Sequence, residues 1–241
     1  MKVLVFCEQR NGNMKESVFE AFNAALSLTG SQPENIAGLI VGTQASSMVQ
    51  QIAGCGAGTI YTADGENFEN FQVCHYLDAL EEAKNTFNPD VILGLASPMG
   101  RDLFPRAAAR FDTGLLTDLT KLTHEGDKLL GGVKPLYAGK VLGEVAFTDN
   151  CQLRMATIRP NVFSREKSNQ GDASHVSLEV TCKTNMDFKT IEITQGNSEK
   201  VDLTEAATII SGGRAMANSE NFSILQDCAQ VLGATVGASR A

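Results

Sequence analysis

The sequence predicts an α/β protein in two parts. Residues 1–195 read as a parallel-sheet N-terminal domain with β-hairpin additions. Residues 196–241 read as a linker and the first β-α-β unit of a second, doubly wound domain. Three observations carry this. Short apolar runs alternate with helical stripes as far as Gly114. Beyond Gly114 the apolar period falls to nearly two, with glycine punctuation. After the polar stretch "TQGNSEKVDLTE" (194–205), strand, helix and strand signals begin again.

Each element follows from its residues. "KVLVFCE" (2–8) is a continuous apolar run, the pattern of a strand covered on both faces. Residues 14–29 set Val18, Phe19, Phe22, Ala25 and Leu26 on one helical stripe, closed by Gly30. "IAGLIVG" (36–42) is a second strand, "SSMVQQIAG" (46–54) a short helix and "GTIYTA" (58–63) a third strand. Residues 67–88 predict a long amphipathic helix that Pro89 ends. "DVILGLA" (90–96) is a strand and "MGRDLFPRAAARF" (99–111) a helix. From 115 to 163 the alternation turns around Gly126, Gly131-Gly132 and Gly139, which are hairpin signals. "SREKSNQGDAS" (164–174) is polar and predicts a mobile surface loop, and residues 175–195 continue in strands. "ATIISGG" (207–213) predicts a strand and turn, "SENFSILQDCAQVLG" (219–233) a helix N-capped by Ser219, and "ATVGASRA" the next strand. A lone unit of this size holds too little core to stand alone, so further chain, the first domain or another subunit is expected to complete it.

The formal net charge of −8 argues against a nucleic-acid backbone or an anionic membrane as main partner. The six cysteines form no CxxC pair and no Cys/His cluster, which points to reduced thiols in a bacterial cytoplasm. The N-terminus enters a strand directly, without a targeting pattern, and no apolar run reaches membrane-spanning length.

Few stretches carry chemistry. "GCGAGT" (54–59) follows a helix and precedes a strand, the reverse of a dinucleotide loop, and reads as a connector. Arg101, Arg106 and Arg110 begin at a strand-to-helix junction but do not share one helix face, so a solvated or intersubunit helix is the simpler reading. His75, His124 and His175 are scattered and suggest no metal site or catalytic relay. "IISGGRAMANSENF" (209–222) differs. A strand runs into Gly212-Gly213, where backbone can approach a ligand closely, and Arg214 adds a forked cation. Ser239 and Arg240 occupy the corresponding place after the next strand. Consecutive parallel strands are usually neighbours, so both arginines are expected to face one crevice suited to an anionic ligand.

These residues resemble a known family. "SGGRAMANSENF" and "LGATVGASRA" are similar to the start of the FAD-binding domain of the electron-transfer flavoprotein alpha subunit. "GRDLFPRAAARFDTGLLTDLTKL", "KPLYAGKVLGEV" and "RMATIRPNVF" resemble that family's N-terminal domain. The resemblance implies a heterodimer with a beta subunit, one FAD, and an AMP held in beta rather than in this chain. It implies an electron carrier, not an enzyme with its own turnover. Electrons come from flavin dehydrogenases such as the acyl-CoA dehydrogenases of fatty acid beta-oxidation and go to a membrane quinone reductase. It assigns FAD contacts to Arg214, Ser239 and Arg240, with Arg240 nearest the flavin ring, and no nucleotide to the N-terminal domain, which packs against beta.

A unit charge ~4 Å from the ring, at an effective dielectric of ~20, contributes roughly 4 kcal/mol. That is on the order of 0.1–0.2 V for one electron before desolvation is discounted. Family members continue beyond "ASRA", so the resemblance implies a chain truncated within its FAD-binding domain, expected to hold FAD weakly or not at all. Two other readings stay open: a non-catalytic scaffold subunit, and an ATP-pyrophosphatase-like nucleotide-binding protein. The second wants Asp-Ser soon after the glycines, where this chain has Arg214-Ala215-Met216.

Overall fold

The apolar runs form buried strands, and the striped segments form the helices that cover them. The computed structural model describes residues 1–52, 54–125, 129–148, 151–166, 173–183, 190–193, 203 and 206–239. In chain order β1 (Val3–Cys7) is followed by the short pair β2 (Gln9–Arg10) and β3 (Asn13–Met14), then α1 (Val18–Thr29) and β4 (Ile36–Gly42). A 3-10 helix (Ala45–Ile52) leads to β5 (Thr59–Asp64), α2 (Val73–Phe87), β6 (Val91–Leu95) and α3 (Pro98–Arg110). Next come β7 (Leu115–Leu119), β8 (Lys121–Glu125), β9 (Leu129–Leu136), β10 (Val141–Ala146), β11 (Arg154–Ile158) and β12 (Ser174–Ser177). The last elements are β13 (Ile209–Gly212), α4 (Ser223–Leu232) and β14 (Thr235–Ala238). The chain divides into two compact units, Met1–Lys189 and Thr190–Ala241.

Unit 1 is built on a seven-stranded parallel sheet of order β12-β5-β4-β1-β6-β11-β7. Its core lies on both faces. Phe19, Phe22, Met48 and Ile52 cover one face from α1 and the 3-10 helix, and Tyr76, Leu80, Leu103 and Phe104 cover the other from α2 and α3. Gly94 in β6 makes this packing possible, because a Cβ there would overlap the Phe104 ring. Strands β8, β9 and β10 form a separate antiparallel sheet. Unit 2 is the parallel pair β13–β14 with α4 as the crossover. Among the described residues no helix is long and apolar enough to cross a membrane.

The structure corrects several expectations. α1 begins at Val18, because Asn13 and Met14 pair with Arg10 and Gln9 and the Lys15 N–H donates to the Glu8 carbonyl. α2 begins at Val73; before it Glu66–Phe68 form a 3-10 turn, and Phe68 and Phe71 fold back onto Tyr76. The aromatic spacing reflects this wrapping, not a longer helix. Residues 45–52 are 3-10 helix, held where the Asp64 carboxylate accepts the N–H groups of Ala45 and Ser46.

Gly139 lies in the β9–β10 turn, whereas Gly131 and Gly132 lie inside β9, where strands approach closely. Gly126 is outside the described residues. "RMATI" leaves the hairpin region and enters the main sheet between β6 and β7, every residue buried, as a strand apolar on both faces requires. Of residues 175–195, only 175–177, the end of β12, are strand among the described residues. Residues 178–183 and 190–193 are irregular, and the remainder lies outside the described residues. Of the polar stretch 164–174, residues 167–172 are likewise outside. Ser219 makes no capping bond; Asn218 Oδ1 instead accepts the Asn221 N–H at 3.2 Å.

Candidate functional site

In unit 2, β13 and β14 run parallel with Gly212 opposite Ala238, and the Ser239 N–H donates to the Gly212 carbonyl at 3.1 Å. The two strand ends are thereby fixed side by side. Gly212 is buried, and a Cβ there would stand 2.8 Å from Leu225 and from the Phe222 ring, so glycine lets α4 close on β13. Gly213 opens outward instead. Among the described residues a Cβ at Gly213 would meet only Ser239 Oγ, at 3.7 Å. Past it, Arg214–Met216 make one 3-10 turn, locked by Met216 N–H to the Gly213 carbonyl at 3.0 Å and by Asn221 Nδ2 to the Met216 carbonyl at 2.7 Å.

Between the strand ends and this turn lies a crevice of about 680 Å³, lined among others by Gly213, Arg214, Asn218, Gln226 and Ser239. The structure thus brings Arg214 and Ser239 to one crevice; Arg240 lies outside the described residues. Arg214 is exposed and has no ion-pair partner among the described residues. Asn218 and Gln226 were missed by sequence reasoning. Asn218 was within reach, since a polar residue in the loop after a strand's carboxyl end faces the ligand side. Gln226 sits mid-helix with no such signal. Among the described lining residues Arg214 is the only ionisable one, and with the Asn218 and Gln226 amides it offers the crevice a cation and polar groups suited to an anion.

Unit 1 closes the equivalent junction. At the carboxyl ends of β1 and β6, Glu8 is fully buried. Its carboxylate accepts from the Ser97 hydroxyl and from Lys15 Nζ at 3.0 Å, while Ser97 Oγ caps α3 by accepting the Gly100 N–H at 2.9 Å. An internal carboxylate therefore fills the place where a helix N-terminus would meet an anion. The other candidate groups are dispersed. Arg106 pairs with Asp102 and Arg110 with Asp78, while His75 meets the Asn67 carbonyl and His175 the Thr62 hydroxyl. Burial pushes the Cys7 thiol well up and Cys55 to about 11, so neither is a nucleophile near neutral pH. Among the described residues no three His, Cys, Asp or Glu side chains cluster as a metal site.

Comparison with known proteins agrees with the two units. Residues 3–181 match the electron transfer flavoprotein domain, and residues 202–241 match the electron transfer flavoprotein FAD-binding domain. The electron transfer flavoprotein subunit alpha of Bacillus subtilis is 33% identical over 242 residues, covering 99% of this chain and 72% of its own length. That of Thermoanaerobacterium thermosaccharolyticum is 30% identical over 242 residues, covering 99% and 73%. A subunit of the lactate dehydrogenase (NAD(+),ferredoxin) of Acetobacterium woodii is 26% identical over 241 residues, covering 99% and 57%. With its parallel sheet, its second strand–helix–strand unit and these matches, the chain belongs to the electron transfer flavoprotein alpha-subunit family.

Proposed function

We propose that this chain is the alpha subunit of a bacterial cytoplasmic electron carrier that binds FAD in the unit 2 crevice and pairs with a beta subunit, which holds AMP. The observation that carries the reading is the crevice between Gly213, Arg214 and Ser239, which offers open backbone and a cation with no ion-pair partner among the described residues. These residues fit an anionic dinucleotide. Gly213 leaves room for a phosphate that a side chain would occupy, Arg214 supplies a fork for its oxygens, and the Ser239 hydroxyl supplies a further donor. Arg240 follows Ser239 in the sequence and lies outside the described residues; the family resemblance is what assigns it a contact with FAD. When bound, FAD supplies the electron-accepting ring; the protein's residues bind it, orient it and set the charge around it. Electrons arrive from flavin dehydrogenases, including those of fatty acid beta-oxidation, and leave to a quinone reductase.

The test is isolation of the protein from its own cells with whatever chain accompanies it. The expected preparation is yellow, contains a second subunit, releases FAD on denaturation, and is reduced by an acyl-CoA dehydrogenase and its substrate. Because the chain is expected to hold FAD weakly, a colourless preparation is also titrated with added FAD; one that takes up no flavin, with or without the second subunit, overturns the reading.

A further inference from the structure

Unit 1 contains a cavity of about 460 Å³ at the carboxyl ends of β6, β7 and β11, beside the first turns of α3. Arg101, Thr117, Asp118, Lys134, Tyr137 and Thr157 line it, with Leu115 and Leu136 on its apolar side. A bulge shapes it. Ala156 opposes Leu116 and Ile158 opposes Leu119, so Thr117 and Asp118 share the position facing Thr157. Asp118 absorbs the extra residue in a left-handed backbone, φ 60°, and its N–H donates to Thr157 Oγ1 at 3.1 Å. Bulges of this kind re-aim side chains and are frequent beside binding sites.

The charges do not balance. Arg159 grips the Asp118 carboxylate as a fork, with Nε at 3.0 Å and Nη2 at 2.7 Å. That grip, with Arg101 and Lys134 nearby, holds the Asp118 carboxyl below its usual range. Lys134 Nζ donates to the Thr117 hydroxyl at 2.8 Å, and Arg101 is exposed; neither has an ion-pair partner among the described residues. Three cations thus surround one carboxylate, leaving two positive charges beside a cavity at the ligand-binding edge of a parallel sheet. The neighbouring β1–β6 junction is already filled by Glu8.

We propose that this cavity binds a small organic anion, its phosphate or carboxylate between Arg101 and Lys134 and its apolar or aromatic body against Tyr137 and Leu136. The proposed flavin role uses none of these residues. Calorimetric titration of the full chain with phenyl phosphate, inorganic phosphate, benzoate and phenol tests it. Phenyl phosphate is expected to saturate with a dissociation constant below about 1 mM, inorganic phosphate more weakly, and phenol not at all. Arg101→Ala and Lys134→Met should each weaken binding by about tenfold, and Tyr137→Ala should erase the advantage of phenyl phosphate over inorganic phosphate. Benzoate tighter than phenyl phosphate assigns a carboxylate ligand, and the reverse a phosphate; either order supports the site. Absence of saturation by every anion up to about 10 mM, or binding unchanged in Arg101→Ala with unchanged circular dichroism, overturns it.

Discussion

Both units of this chain end parallel strands beside a tight turn, yet they finish those ends in opposite ways. In unit 1 the space at β1 and β6 is taken by the Glu8 carboxylate, buried between Ser97 and Lys15. In unit 2 the space at β13 and β14 is left to glycine, with an exposed arginine at its rim that has no ion-pair partner among the described residues. In unit 1 the N-terminus of α3 follows β6 directly, at Pro98, whereas in unit 2 α4 starts at Ser223, after the turn that follows β13. The side chains at each junction decide whether it is filled by the fold or left open. A self-supplied anion turns the junction into a structural clamp, whereas glycine and arginine keep it available.

The sharpest way to break this contrast is to remove the clamp. Glu8→Ala leaves the Lys15 ammonium and the Ser97 hydroxyl without their acceptor, and should cost about 3 kcal/mol. Phosphate should restore part of that loss where sodium chloride of equal ionic strength does not, because the emptied place then accepts an anion from solution. A thermal melt in each salt reads both effects; an unchanged midpoint in Glu8→Ala would show that the carboxylate is no clamp. The smaller unit responds differently at its two glycines. Gly212→Val forces a side chain into Leu225 and Phe222 and should destabilise unit 2 by about 1–3 kcal/mol, with loss of bound flavin. At Gly213 a Cβ meets only Ser239 Oγ among the described residues, and the backbone sits at φ −120°, which valine adopts freely. Gly213→Val should fold normally while flavin affinity falls by about tenfold, roughly 1.4 kcal/mol. Equal flavin content in Gly213→Val and the parent would mean that the ligand does not enter there.

The difference between the junctions was only half legible in the sequence. Gly212, Gly213 and Arg214 are adjacent, and β13 and β14 are consecutive parallel strands, so local pattern and a pairing rule put Arg214 beside the strand end that carries Ser239 and Arg240, of which Ser239 is among the described residues and lines the crevice. The clamp joins Glu8 to Ser97 across 89 positions, and nothing in either neighbourhood points to the other. The same holds for the fold. Strands buried on both faces announce themselves by composition, as β1, β4 and β6 do. β11 has that composition too, but lies among hairpin signals, and only the sheet order reveals it between β6 and β7. Periodicity misplaces the start of α2 because Phe68 and Phe71 are apolar for packing on Tyr76 from a turn, a contact that helical spacing imitates.

The smallest expected effect tests how the open junction holds its ligand. The Ser239 backbone N–H is already committed to the Gly212 carbonyl, so the residue has only its hydroxyl to offer. No group among the described residues accepts that hydroxyl. On the proposed reading Ser239→Ala therefore removes one hydrogen bond to flavin and leaves the strand pairing intact. A neutral hydrogen bond is worth about 0.5–1.5 kcal/mol net, which corresponds to roughly a two- to tenfold loss of flavin affinity. Fluorescence titration of the deflavinated protein measures it beside Arg214→Ala. If Arg214→Ala weakens binding and Ser239→Ala does not, the crevice holds its anion by charge alone, and the parallel pairing that sets Ser239 beside Gly213 serves the fold rather than the ligand.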